Sequence, residues 1–226
     1  SNTNLKDLEF LSLSKLRYLK NLDLKNNHIT FLRNHSFFTG IQSCFLVFLD
    51  LSFNKIKFIE RDAFFCLRNL ETLNLNENFL VTSDFSMTSF TNLAHFFTTN
   101  CNLNHLNSFS RENPLKLLIS SQNYITTLSE DYFQYLKNIY LIDLSFNKIS
   151  KIQLIGVTSL FKNPIRLRYL YLNNNLLTSN HLYLINVNSI INLISFNLSF
   201  NNISYLNKQM FNKLEKLIIL DLSFNP

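Results

Sequence analysis

The sequence predicts an α/β solenoid: a curved horseshoe with a parallel sheet on its concave face and mostly loops, 3-10 turns and short helical turns on its convex face. Three observations predict it. One eleven-residue pattern, L-x-x-L-x-L-x-x-N-x-L, recurs nine times along 226 residues. Successive first positions fall 27, 24, 23, 22, 24, 28, 26 and 24 residues apart, the period of an array in which no unit can bury its apolar face without neighbours. An apolar residue, most often Phe, stands six residues before nearly every copy.

In chain order the pattern fits Leu19 to Ile29, Leu46 to Ile56, Leu70 to Leu80, Leu93 to Leu103, Leu115 to Ile125, Ile139 to Ile149, Leu167 to Leu177 and Leu193 to Ile203, with a truncated copy from Leu217 to Pro226. The chain therefore reads as one array, 1–226, with a partial unit at 1–18 and units at 19–45, 46–69, 70–92, 93–114, 115–138, 139–166, 167–192, 193–216 and 217–226, lacking both terminal caps.

Each position has a physical task. The central L-x-L is a short strand whose leucines point inward and whose intervening residues point to the concave face. Asn27, Asn54, Asn78, Asn123, Asn147, Asn175, Asn201 and Asn225 follow, where a buried amide can satisfy backbone groups that the turn leaves unpaired. Cys101 takes that place in the fourth unit, which is expected to be less well held because a thiol is a weak donor. The second apolar row, Leu13, Gly40, Phe64, Met87, Phe109, Phe133, Phe161, Val187 and Phe211, is expected to fill the convex side. The long units carrying Ile155 to Pro164 and Ser179 to Asn188 are expected to bulge on the rim or convex side.

Composition restricts the function. Two Gly against 34 Asn and 23 Phe leave little glycine for turns of positive φ, so the turns are expected to be built differently. The net charge of +6 is scattered rather than clustered, so nucleic acid is not indicated as a partner. Cys44, Cys66 and Cys101 form no metal-ligand spacing and fix neither a disulfide nor a redox compartment. His28, His35, His95, His105 and His181 lack the spacing of a zinc helix, and no phosphate loop or nucleophile elbow is present. Asp23, Asp50, Asp143 and Asp221 recur in register and read as repeat consensus, so neither catalysis, a metal nor a cofactor is indicated. No apolar run is long enough to span a bilayer.

The unit LISFNLSFNNISYLNKQMFNKLEK, from Leu193 to Lys216, and the phrase LDLSFN at Leu49 and Leu220 resemble the typical 24-residue leucine-rich repeat of Toll-like receptor ectodomains. Asn225-Pro226 resembles the entry to the cysteine-rich cap of such receptors, although Asn-Pro also occurs at Asn113 and Asn163. The resemblance implies a non-catalytic recognition module of innate immunity on the extracellular side of a cell or endosomal membrane. Its parent would be a single-pass protein that binds a protein or microbial ligand on its concave or lateral face, dimerises, and signals through parts outside this chain. The alternative is a cytoplasmic leucine-rich-repeat scaffold binding a protein partner on the same face.

Candidate sites follow from the outward strand positions. The central units place His95, Phe97, Leu117, Ile119, Leu141, Tyr169 and Tyr171 there, an apolar and aromatic patch where the outer units carry Asn21, Asp23, Thr72 and Asn74. Such a patch marks an interaction surface. The competing possibility is a local register shift that turns these side chains inward, suggested by the polar Thr98 and Ser120 at normally buried positions. Sequons at Asn34, Asn197 and Asn202 are glycosylation candidates, Asn34 foremost because it lies in a loop between strands.

Overall fold

The computed structural model describes residues 4–6, 8, 16, 18–37, 44–81, 85–109, 113–154, 160–161 and 166–226. Leu13, Gly40, Gly156, Asn163 and most of 1–18 and of the 155–164 segment lie outside the described residues.

In order, the elements are β1 (Asn21–Asp23), β2 (Phe31–Leu32), β3 (Phe48–Asp50), β4 (Phe58–Ile59), β5 (Thr72–Asn74), β6 (His95–Phe97), β7 (Leu117–Ile119), β8 (Thr127–Ser129), α1 (Glu130–Phe133), β9 (Leu141–Asp143), β10 (Lys151–Gln153), β11 (Tyr169–Tyr171), α2 (Ser179–Ile185), a 3-10 turn (Val187–Ser189), β12 (Ser195–Asn197) and β13 (Ile219–Asp221). Nine of the described strands form one parallel sheet in the order β1-β3-β5-β6-β7-β9-β11-β12-β13. This is the leucine-rich-repeat solenoid that the periodicity predicts. The centre residue of each interior strand, among them Leu49, Leu73, Phe96, Leu118, Ile142, Leu170 and Phe196, is buried, while its neighbours, the buried Ser195 excepted, are half-buried or exposed. The convex side also holds two short parallel pairs, β2 with β4 and β8 with β10, which the sequence pattern does not announce.

The turn after each strand is held by its asparagine. Asn54 Nδ2 donates to the carbonyls of Leu24 (2.9 Å), Leu51 (2.9 Å) and Ser52 (3.3 Å), and its Oδ1 accepts the Ile29 amide of the preceding unit at 3.1 Å. Asn78, Asn147, Asn175 and Asn201 repeat this set, so each side chain staples its own turn to the previous one.

These turns do use positive φ, contrary to the expectation drawn from the scarcity of glycine. The residue before each repeat asparagine, or before Cys101, is left-handed: Asn26, Phe53, Glu77, Asn100, Gln122, Phe146, Asn174, Phe200 and Phe224 lie between φ 53° and 57°. A left-handed L-residue costs roughly 1–2 kcal/mol, and the asparagine bonds on either side of it offset that cost. The geometry also exposes Phe53, Phe146, Phe200 and Phe224 along one edge of the array, where Phe200 and Phe224 stack with centroids 4.2 Å apart.

Cys101 alters this scheme locally. Its thiol donates to the Leu75 carbonyl at 3.0 Å and is pushed up to about 12 in pKa, chiefly by burial. It supplies no side-chain acceptor, so the Leu80 amide bonds to the Cys101 backbone carbonyl instead, and the following Asn102 becomes left-handed at φ 62°. No other unit has a left-handed residue at that place among the described residues.

The convex apolar row is core where it is described. Phe64, Met87, Phe109, Phe133, Phe161 and Val187 are buried, and Phe211 is half-buried near the end of the array. Phe37, Phe85, Phe90 and Phe96 join it: Phe64 meets Phe37, Phe85 and Phe90 with centroids 5.7, 5.4 and 5.5 Å away. The 179–188 segment forms α2 and the 3-10 turn, with Leu182, Ile185 and Val187 buried.

Cys44 and Cys66 form a disulfide across adjacent units, with Cα atoms 5.7 Å apart, which the cysteine count alone could not pair. Constraining the unfolded chain over this separation is worth about 3 kcal/mol. Reduction is therefore expected to lower the urea unfolding free energy by roughly that amount, and an unchanged midpoint in reductant would contradict the bridge.

A candidate recognition surface on the concave face

The predicted site residues come together on adjacent strands in register. Phe97 pairs with Ile119, Ile119 with Asp143 and Asp143 with Tyr171, while His95 pairs with Leu117, Leu117 with Leu141 and Leu141 with Tyr169. No slip turns them inward, because the buried positions are filled by Phe96, Leu118, Ile142 and Leu170. Thr98 and Ser120, the polar residues behind the suggested shift, are buried and bonded to one another, Oγ1 to Oγ at 2.6 Å. All seven candidates are half-buried rather than fully exposed, as are Thr72, Asn74 and Asp143 at the same outward positions.

The row containing Phe97, Ile119 and Tyr171 has a structural task elsewhere. In the other units its residue caps the turn: Asp23 accepts the Lys25 amide, Asp50 that of Ser52, Asn74 that of Asn76, Asp143 that of Ser145, Asn197 that of Ser199 and Asp221 that of Ser223, at 2.8 to 3.1 Å. Ser145, Ser199 and Ser223 add their hydroxyls. The recurring aspartates are thus turn caps. Hydrogen bonds from Ser223 hold the Asp221 carboxyl below the usual carboxylate range. Phe97 and Ile119 have no acceptor for such a bond and the Tyr171 phenol does not make it; among the described residues Ser121 N and Asn173 N lack it, while Thr99 N turns to Asn76 Oδ1 at 2.6 Å.

The sequence reading missed a second row at the N-terminal edge of these strands. Lys116, Tyr140 and Arg168 each directly precede an outward strand residue and stand beside Arg166 and Asn138. The signal was present, because they occupy the second position of their repeats. His95, Lys116, Leu117, Asn138, Tyr140 and Arg166 line a hollow of about 260 Å³. Tyr140 and Tyr169 pack with centroids 5.2 Å apart, and a hydrogen bond to Tyr169 holds the Tyr140 phenol above its ordinary pKa. The Arg168 guanidinium lies 5.9 Å from the Tyr140 ring centre.

His95 bonds to Thr72 Oγ1 through Nδ1 at 3.0 Å, and its pKa is lowered first by burial and then by Lys116, against an opposing effect of Glu71. His181 is lowered as well, by burial, and its Nδ1 accepts the Thr178 amide at 2.9 Å where α2 begins. A histidine whose folded pKa lies below its ordinary 6.5 favours the folded state above pH 6.5, and that contribution is lost as pH falls below it. Urea midpoints are therefore expected to drop between neutral and mildly acidic pH, with a shallower drop in the His95→Gln, His181→Gln double variant. An equal drop in both proteins would contradict the assignment.

Of the sequon residues, Asn34 is exposed in the turn after β2 and its Oδ1 accepts the Asp62 amide at 2.8 Å. Asn202 is exposed, whereas Asn197 lies half-buried on β12 with Oδ1 engaged by Ser199. Among the described residues no cluster of three or more His, Cys, Asp or Glu is arranged for a metal ion, and no helix is long and apolar enough to cross a membrane.

A leucine rich repeat family model matches residues 46–103. Toll-like receptor 3 of Boselaphus tragocamelus is 29% identical over 214 residues, covering 92% of this chain and 21% of that protein, and the Homo sapiens protein is 27% identical over 218 residues with the same coverage. Osteomodulin of Rattus norvegicus is 28% identical over 179 residues, 78% of this chain and 41% of that protein. The chain thus spans about a fifth of the length of the Toll-like receptors it matches. A solved TLR13-ssRNA13 complex superposes with a TM-score of 0.78 at 28% identity, over 98% of this chain and 30% of that one. The leucine-rich repeat domain of APL1B gives 0.78 at 21% identity over 98% and 62%, a likeness of fold.

Proposed function

We propose that this leucine-rich-repeat solenoid is a non-catalytic extracellular recognition module, the ligand-binding part of a Toll-like innate immune receptor, and that it binds a protein partner on its concave face across β6 to β11. One observation carries the reading: Phe97, Ile119 and Tyr171 stand in register at positions where the other units place a turn-capping Asp or Asn. Surfaces that forgo a stabilising residue for an outward-facing apolar one are commonly kept for binding. The Cys44–Cys66 disulfide supports an oxidising compartment over a cytoplasmic scaffold. Similarity to Toll-like receptor 3 supports the receptor class, and the solved Toll–Spatzle complex is similar in fold at a TM-score of 0.77.

The test compares the protein with its Phe97→Asp, Ile119→Asp variant on arrayed extracellular proteins. Partners of the unaltered protein are expected to bind the variant at least about a hundredfold more weakly, the scale of two lost anchor residues. Unchanged binding by a folded variant would refute the proposal. On the same reading Asn34 carries a glycan: Asn34→Gln is expected to remove one glycosidase-sensitive step in mobility when the protein is secreted from animal cells, and no change would contradict it.

A further inference from the structure

We propose that the hollow beside β6 and β7 receives one apolar side chain of the protein partner, and that the residues next to that side chain are acidic. This rests on the concave face being the partner surface and adds the chemistry of what binds there. At about 260 Å³ the hollow is smaller than the roughly 300–1,000 Å³ of small-molecule sites and suits a single anchor side chain. Leu117, the Tyr140 ring and the His95 ring, whose protonation is disfavoured by burial and by Lys116, give it a mainly apolar lining.

Lys116 and Arg166 are exposed at its rim, with Arg168 beside Tyr140. Among the described residues none of these three cations forms an ion pair. An aliphatic anchor alone would leave the exposed cations unmatched, and a carboxylate alone would leave the apolar lining unfilled. A Leu or Phe flanked by Asp or Glu answers both, and tyrosine and arginine are the residue types that dominate interface energetics. A nucleic-acid track is disfavoured, because three cations around an apolar hollow give few phosphate contacts.

Random peptides displayed on phage and selected on the intact protein test this directly. The expected selection is for sequences with an apolar residue next to Asp or Glu. A synthetic peptide of that kind is expected to bind the Lys116→Glu, Arg166→Glu variant at least about tenfold more weakly, and its analogue with Lys replacing the acids to bind the variant better than the unaltered protein. Both substitutions are at exposed positions, and unchanged urea unfolding confirms that the variant folds. Selection without acidic residues, no selection at all, or single-stranded RNA binding with the same dependence on Lys116 and Arg166 would each overturn the inference. If the Phe97→Asp, Ile119→Asp variant loses partner binding while the charge-reversed variant keeps it, the concave reading stands and this one falls.

Discussion

Replacing Asn123 with Ala is expected to lower the unfolding free energy by about 4 kcal/mol, since several buried backbone groups lose their partners at once. Asn123 Nδ2 donates to the carbonyls of Thr98 (2.7 Å), Ser120 (3.1 Å) and Ser121 (3.0 Å), and its Oδ1 accepts the amides of Cys101 and Leu103, both at 2.9 Å. Its load is heavier than that of the other repeat asparagines because the preceding unit carries Cys101 and offers two amides rather than one. Amide exchange at Cys101 and Leu103 is expected to accelerate before exchange in the outer units, because a solenoid couples mainly to its neighbours. Asn212→Ala, an exposed asparagine, is the control and is expected to stay within about 0.5 kcal/mol. A loss of the same small size at Asn123 would show that the turns do not depend on the buried amide.

Phe64→Ala is expected to cost a similar amount, about 4 kcal/mol, through a different mechanism. Phe64 is 1% exposed and touches the rings of Phe37 in the preceding unit and of Phe85 and Phe90 in the following one, so truncation opens a cavity that none can fill alone. Phe64→Leu retains most of the volume and is expected to cost about 1.5 kcal/mol. Guanidinium unfolding of the three proteins measures both steps, and equal losses for Leu and Ala would indicate that ring packing is not what holds the row.

The contrast between these two residues explains how much of the fold was legible. Phe64 and Asn123 announce themselves by recurring in register, since an array repeats the same burial problem in every unit. The left-handed residues were not legible. Scarce glycine argues against positive φ, yet Phe53 and Phe146 adopt it because Asn54 and Asn147 bind the surrounding carbonyls and hold the turn. The Cys44–Cys66 bridge was hidden for a related reason: the two residues occupy different repeat positions, and only the convex path of the chain brings them together.

The candidate site was legible in part. Outward positions follow from strand alternation, which identified His95, Phe97, Leu117, Ile119, Leu141, Tyr169 and Tyr171. Alternation says nothing about what their consensus counterparts do, so the turn-capping role of Asp50 and Asp143 emerged only from the hydrogen bonds, and with it the significance of Phe97, Ile119 and Tyr171. Lys116, Tyr140 and Arg166 lie outside the strands, where the two-residue period no longer indicates direction.

That capping role permits a test of the central claim that needs no partner. If Ile119 is present for binding rather than for folding, Ile119→Asp supplies the cap that Ser121 lacks, and a carboxylate beside Asp143 is already tolerated in the array by the paired Asp23 and Asp50. Urea unfolding of Ile119→Asp is the measurement. The expected result is a free energy equal to that of the unaltered protein or higher by up to about 1 kcal/mol, whereas a loss of more than about 2 kcal/mol would mean that Ile119 belongs to the core and would contradict the concave recognition surface.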